Sequence, residues 1–322
     1  LQWPIATPTA PGPLQTSYLE REKMSLALGV DLGSANMRAV VIDRSTGRVV
    51  ASMHQEHGDR SPAAVVTALA QLMNKVSKQA GANTPLPSAI GAAGTLHGSE
   101  IVLSPTLGWR DVPLGDLLGR ELGRPVKIVN DTHAAAWGEL KVGAARGESF
   151  TYTVLVGAGI GSAIVTRGEL MPGASGVAGE LGHIKVVAEG GRPCGCGQKG
   201  CLEAYAGGTN LEAWMKEAGL KGTASELEEQ AHGGNAEAKK IWDVASSALA
   251  LAIANVVTVL NPGFVVLGGG VMTHSPRLVQ RVCDAIGERT LAASRSGLKV
   301  ALAAHGDDSG AVGAALLGAE GY

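Results

Sequence analysis

Three cysteines fall within eight residues of one another, in Cys194-Gly195-Cys196-Gly197-Gln198-Lys199-Gly200-Cys201. Thiolates on so tight a glycine-rich loop suit Zn²⁺, which takes four nitrogen or sulfur ligands in a tetrahedron. The loop supplies three, and His183, eleven residues upstream, is the natural fourth. A Cys3His set built wholly from protein ligands leaves no position for water, so such a zinc is structural, not catalytic. A redox pair or unliganded loop thiols are the alternatives. The one-residue spacing of Cys194 and Cys196 does not match the two-residue spacing of thioredoxin-like motifs. The remaining cysteine, Cys283, sits in a helical pattern over 278–286 and reads as a small buried hydrophobe.

Asn130-Asp131 stands where an apolar run, 126–129, gives way to a helical pattern. A carboxylate at such a strand end faces the crevice where α/β sheets take ligands and could accept a proton from a substrate hydroxyl. The same aspartate could simply cap its helix. Two further turns, Asp31-Leu32-Gly33-Ser34 and Gly157-Ala158-Gly159, let backbone N–H groups approach phosphate oxygens with no Cβ in the way. Asp31 would then hold Mg²⁺, through water, beside the phosphates. No Gly-Lys-Ser/Thr stands at P-loop spacing.

The elements that must position these groups read as two similar runs. Strands are expected over 26–30, 38–43 and 48–53, then a helix opened by Ser61-Pro62 and running to about Lys78. A strand over 89–93, a helix over 116–122, a strand over 126–129 and an Ala-rich helix over 131–140 follow. The pattern restarts at 152–156, with a glycine turn, a second strand over 160–166 and a third over 169–171. A long helix over 236–260, a strand over 264–267 and Gly268-Gly269-Gly270 come late in this half. The matching lengths of turns and strands point to a duplicated α/β unit.

Composition bounds the rest. Lys plus Arg number 27 against 29 Asp plus Glu, a balance that argues against a nucleic-acid surface. Apolar residues are 45% and aromatics 3%, so the core is aliphatic. Four cysteines in 322 residues are too few for a disulfide scaffold. The uncharged stretch 244–274 is interrupted by Ser246, Ser247 and Asn255 and reads as an interior helix, not a membrane span. Residues 1–23 show no period and read as a leader or cloning remnant, without the pattern of a signal peptide.

The run Gly176-Val177-Ala178-Gly179-Glu180-Leu181-Gly182-His183, with Cys194-x-Cys196-Gly197-x-x-Gly200-Cys201-Leu202-Glu203, resembles the signature of the ROK family of sugar kinases and sugar-responsive repressors. The resemblance covers nearly all of 24–322 and includes Asn130-Asp131, the two phosphate turns, Leu267-Gly268-Gly269-Gly270 and the stretch 306–311. It implies a duplicated actin-like (ribonuclease H-like) two-lobed α/β fold, shared with hexokinases, with the active site in the cleft between lobes. The lobes would be 24–127 plus 306–322, and 128–305 carrying the zinc loop 183–203.

By this resemblance the enzyme is an ATP-dependent hexose kinase, glucokinase-like, converting glucose to its 6-phosphate in glycolysis. Asp131 is the base. Gly94, Asn130, Asp131, Glu180, His183 and Glu203 line the sugar, with His183 bridging it to zinc. A hexose hydroxyl both donates and accepts, which paired carboxylates and an imidazole can match. Asp31, Gly33, Ser34, Gly157, Ala158, Gly159, Gly268, Gly269 and Gly270 would hold Mg-ATP. A cytoplasmic homodimer is expected, with no nucleic acid or membrane partner.

The chain departs from the family in four places. It has Ala93-Gly94-Thr95 where Pro-Gly-Pro is usual, Ser104-Pro105-Thr106 where Ser-Pro-Asn is usual, and Ala35 and Ala158 where both phosphate loops usually carry Thr. The missing hydroxyls motivate a rival reading, a sugar-binding sensor with degenerate kinase activity. A kinase for an N-acetylhexosamine or fructose differs only in specificity. Against a repressor, the 23 leading residues are too few and too poor in basic residues for a helix-turn-helix.

Overall fold

Short Val-, Leu- and Ala-rich runs broken by glycine turns fold as strands, and the computed structural model of the chain describes residues 25–320. The segment 1–23 therefore lies outside the described residues. Strands β1 (Leu26–Leu32), β2 (Asn36–Asp43) and β3 (Val49–Glu56) form an antiparallel meander. Helix α1 (Pro62–Gln79) follows Ser61 with proline in its first turn, as the sequence predicts, and buries Val65, Leu69, Leu72, Met73 and Val76. Strand β4 (Ser88–Ala92) returns parallel to β1. A small antiparallel sheet comes next, β5 (Thr95–His97), β6 (Glu100–Ser104) and β7 (Trp109–Val112), then α2 (Leu114–Leu122). Strand β8 (Lys127–Asn130) pairs parallel with β4 and runs straight into α3 (Asp131–Val142).

The second run repeats the design. Strands β9 (Phe150–Val156), β10 (Ile160–Thr166) and β11 (Glu169–Leu170) make the meander. Helices α4 (Glu203–Ala206), α5 (Gly208–Glu217), α6 (Leu227–His232) and α7 (Ala236–Leu260) follow the cysteine loop. Strand β12 (Phe264–Gly268) is parallel to β9, and after α8 (Gly270–Thr273) and α9 (Pro276–Arg289), β13 (Lys299–Leu302) adds parallel to β12. The chain ends in α10 (Ser309–Glu320). Sheet orders are β3-β2-β1-β4-β8 and β11-β10-β9-β12-β13, the same arrangement twice.

Helix α7 is long and apolar enough to cross a membrane by length and composition. Asn235 caps its start by accepting from the N–H groups of Glu237 and Ala238, and Asn261 ends it in a left-handed conformation with φ 51°. Between those ends Ile241, Ala245, Leu249, Ile253 and Val257 are buried in the core with Tyr152, Val154 and Leu267.

Two compact units result. The first unit runs through residue 147 and takes back 173–177 and everything from 308 on; the second takes 148–172 and 178–307. Strand β8 is the edge strand of the first sheet, and α3 packs on α10. That helix pair touches backbone to backbone: a Cβ on Gly138 would lie 3.0 Å from the nitrogen of Gly313. Each unit has its own aliphatic core.

Candidate active site

In the first unit, the registers align Leu32 with Ala92 and Ala92 with Asn130. The carboxyl ends of three parallel strands therefore bring Asp31, Gly33, Ser34, Gly94, Asn130 and Asp131 to one edge of the sheet, where α/β folds bind ligands. The helix cap is Asn130, not Asp131: its Oδ1 accepts from the N–H of Thr132 and of His133, both at 3.0 Å. Its Nδ2 donates to the Gly94 carbonyl at 3.3 Å, which ties the two predicted sugar residues together. Asp131 is the first helical residue, and one of its oxygens, Oδ1, shares the Thr132 N–H with the cap.

Desolvation raises the Asp131 carboxyl above the ordinary aspartate range. The Thr132 N–H at 2.8 Å, the Thr132 hydroxyl at 3.3 Å and the charge of His133 pull the other way. A carboxylate with raised proton affinity beside a ligand edge suits a general base.

The turn after β1 is braced by a residue that motif reading passes over. His57 donates its backbone N–H to Ala35 O and its Nε2–H to Gly33 O, each at 2.9 Å. Because the acceptor is a carbonyl, the ring tautomer is fixed with the proton on Nε2. A histidine one residue past a strand carries no motif, so only the fold reveals this role.

In the second unit, β9 and β12 end side by side, with Gly268 opposite Leu155. Gly269, at φ 83°, lies so close that a Cβ would stand 2.7 Å from the Val156 nitrogen. The Gly268-Gly269-Gly270 run and the Gly157-Ala158-Gly159 turn thus adjoin. The start of α5 closes on the same turn, through Gly208 N–H to Gly157 O at 2.8 Å and Thr209 N–H to Ala158 O at 2.9 Å. Glu203 joins it from α4, its Oε2 accepting the Ile160 N–H at 2.9 Å. Glu203 is therefore no merely solvated glutamate.

Glu180 is reached by a buried relay. The Tyr152 hydroxyl donates to Ser162 Oγ at 2.7 Å, and Ser162 donates to the Gly179 carbonyl, fixing the residue before Glu180 against the sheet. Glu180 Oε2 lies 3.8 Å from His183 Nε2.

The four predicted ligands converge: the donor atoms of His183, Cys194, Cys196 and Cys201 all lie within 4.8 Å of one another. Cys196 Sγ is 3.8 Å from Cys201 Sγ, and Cys194 Sγ is 3.7 Å from His183 Nδ1. A tetrahedron with Zn–S bonds of ~2.3 Å has edges of ~3.8 Å, so the set fits zinc. Burial pushes the Cys194 thiol up to about 12, a cost that a bound cation would relieve. With Nδ1 toward the thiolates, Nε2 is turned to Glu180, the division of labour that a bridging histidine needs. Cys283 is buried in the apolar core of its unit, as expected.

Fold and site together define a sugar kinase of the duplicated actin-like class. The ROK family model matches residues 27–320, and the chain belongs to the ROK family. A glucokinase of Halalkalibacterium halodurans is 34% identical over 226 residues, 66% of this chain and 68% of that protein. An N-acetylmannosamine kinase of Yersinia pseudotuberculosis is 29% identical over 305 residues, 91% of this chain and 98% of that protein. Among solved structures, a ROK family glucokinase from Streptomyces griseus in complex with glucose and AMPPNP superposes with a TM-score of 0.79. It is 28% identical, with 92% of this chain and 99% of that one covered.

Proposed function

We propose that the protein is an ATP:hexose 6-phosphotransferase whose substrate is glucose. The observation that carries this reading is Asp131, the first helical residue after the Asn130 cap, desolvated with its proton affinity raised at the strand edge that also holds Asp31 and Gly33. Asp131 takes the proton from the C6 hydroxyl as its oxygen attacks the γ-phosphorus, and the bond to the bridging oxygen of ADP breaks. Gly94, Asn130, Glu180, His183 and Glu203 are the residues assigned to orient the sugar hydroxyls. The backbone N–H groups of Gly33-Ser34 and Gly157-Ala158-Gly159 receive the phosphates, with Gly268-Gly269-Gly270 at the adenosine end. Asp31 would hold Mg²⁺, which neutralises phosphate charge. Zinc, held by His183, Cys194, Cys196 and Cys201, would lend rigidity only; the loop's own bonds present Glu203 and His183.

The four cysteines are unpaired, which suits a reducing, cytoplasmic setting. A homodimer accords with an exposed apolar stripe on α7, where Val244, Leu251 and Val259 are 45%, 41% and 80% exposed. ADP release measured across glucose, N-acetylmannosamine, N-acetylglucosamine and fructose tests the reading, with glucose expected to turn over best. Tight glucose binding by calorimetry with no turnover on any hexose would instead favour the sugar sensor, which Ala35 and Ala158 in the phosphate turns motivate. Preference for an N-acetylhexosamine would move the specificity to Ala93-Gly94-Thr95.

A further inference from the structure

The metal set has a neighbour outside the ligand pattern. Lys185 stands directly opposite Cys201 in a short antiparallel bridge, flanked by Val186 N–H to Gly200 O and Leu202 N–H to Ile184 O, both at 2.9 Å. Residues so paired project to the same side. The Lys185 ammonium accordingly donates to Cys201 Sγ at 3.1 Å and to the Lys199 carbonyl at 2.9 Å. Cys201 itself is fully buried, so the ammonium reaches a sulfur that water does not.

Charge gives this contact a purpose. Zinc with three thiolates and a neutral imidazole carries a net single negative charge. A cation bonded to one thiolate offsets that charge, lowers the electron density on the sulfur and holds its direction. We propose that Lys185 is a positioning residue of the zinc centre, clamping the Cys201 thiolate so that the loop retains its metal and keeps its geometry. This rests on the zinc reading given above. The clamp also blunts the nucleophilicity of Cys201 toward oxidants and alkylating agents.

The test uses the purified full-length chain. Metal analysis of the parent comes first and is expected to find zinc. Zinc is then titrated away with a chromophoric chelator from the parent and from Lys185→Met, Lys185→Arg and Lys199→Met. Lys185→Met should weaken zinc retention about 10- to 100-fold, the usual cost of losing an outer partner of a metal ligand. Lys185→Arg, which keeps a cationic donor, should recover most of that loss. Lys199 offers only its backbone carbonyl here, so Lys199→Met should hold zinc like the parent and controls for the loss of nearby charge. Cobalt substitution adds a direct readout, since the thiolate-to-cobalt absorption should shift in Lys185→Met and return in Lys185→Arg. Lys185 is exposed, so these variants are expected to fold. Equal zinc retention in parent and Lys185→Met would overturn the proposal alone. A parent without zinc would overturn the metal reading and this one with it, and equal losses in the Met variants of Lys185 and Lys199 would reduce the effect to general charge.

Discussion

Asp131 and Asn130 divide two jobs that either could perform. Asn130 spends its carbonyl oxygen on the helix N-terminus, and the adjacent carboxylate is left desolvated with a raised proton affinity. Asp131→Asn should therefore abolish turnover while glucose binds within about tenfold, because the shape of the side chain is kept. The pH profile gives a second check. A base works only when deprotonated, and its proton affinity is raised. The acid limb of kcat should therefore have its midpoint above the ~3.9 of an ordinary aspartate. A parent enzyme whose rate holds down to that ordinary range would remove Asp131 from the role. Ala158 calls for the opposite manipulation. It is exposed at the turn, and its carbonyl is engaged by Thr209. Ala158→Thr thus has room for a hydroxyl that bonds phosphate as charge develops, and kcat should rise roughly tenfold, ~1.4 kcal/mol, with the sugar KM nearly unchanged. An unchanged rate in an equally stable variant would mean that backbone N–H groups already satisfy the phosphates.

Two elements decide whether such residues are held in place. One is the cysteine loop, which bonds to itself through Cys194 N–H to Gln198 O at 2.8 Å and leads directly into α4 with Glu203. About one zinc per chain is expected by metal analysis. Cys196→Ser should lose the metal and weaken sugar binding together, because Glu203 and His183 are oriented by the same loop. Metal loss at unchanged glucose affinity would sever that link. The other element is the α3–α10 pair, built from alanine and glycine so that the backbones meet. Gly313→Ala would place its Cβ against the Ala134 carbonyl and within 3.0 Å of the Gly138 nitrogen. Backbone cannot move aside as a side chain can, so a cost of about 1–3 kcal/mol and a fall of several degrees in melting temperature are expected. Because α3 begins at Asp131, kcat should fall with stability at that site.

At the scale of the whole molecule, the outer stripe of α7 is an apolar surface among the described residues that calls for an account. Its inner face is packed in the core, so the stripe is not needed for folding of the second unit. The proposed homodimer predicts a parent of twice the chain mass in light scattering and, for Val259→Glu at the most exposed position of that stripe, a single-chain mass with a melting temperature within a few degrees of the parent. A variant of parental mass would place the dimer contact elsewhere.

Much of this was legible in the residues alone. The helix of 236–260 is bounded in the sequence by Asn235 and by Asn261-Pro262, and capping physics places its ends where the backbone does. The convergence of His183, Cys194, Cys196 and Cys201 was legible because Cys3His chemistry imposes its own spacing, and the paired meanders because strand and turn lengths recur. The sheet of 95–112 was not, since strands of three to five residues carry too little periodicity to detect. Nor was the pairing of β8 with β4, which joins residues some forty positions apart and which no local pattern encodes. The choice of cap is of the same kind. Asn and Asp have nearly equal capping preference, and only the φ/ψ at which α3 begins assigned the cap to Asn130. Lys185 and His57 complete the pattern. Each acts through long-range hydrogen bonds, whose energy depends on directions and distances that exist only after the chain has folded.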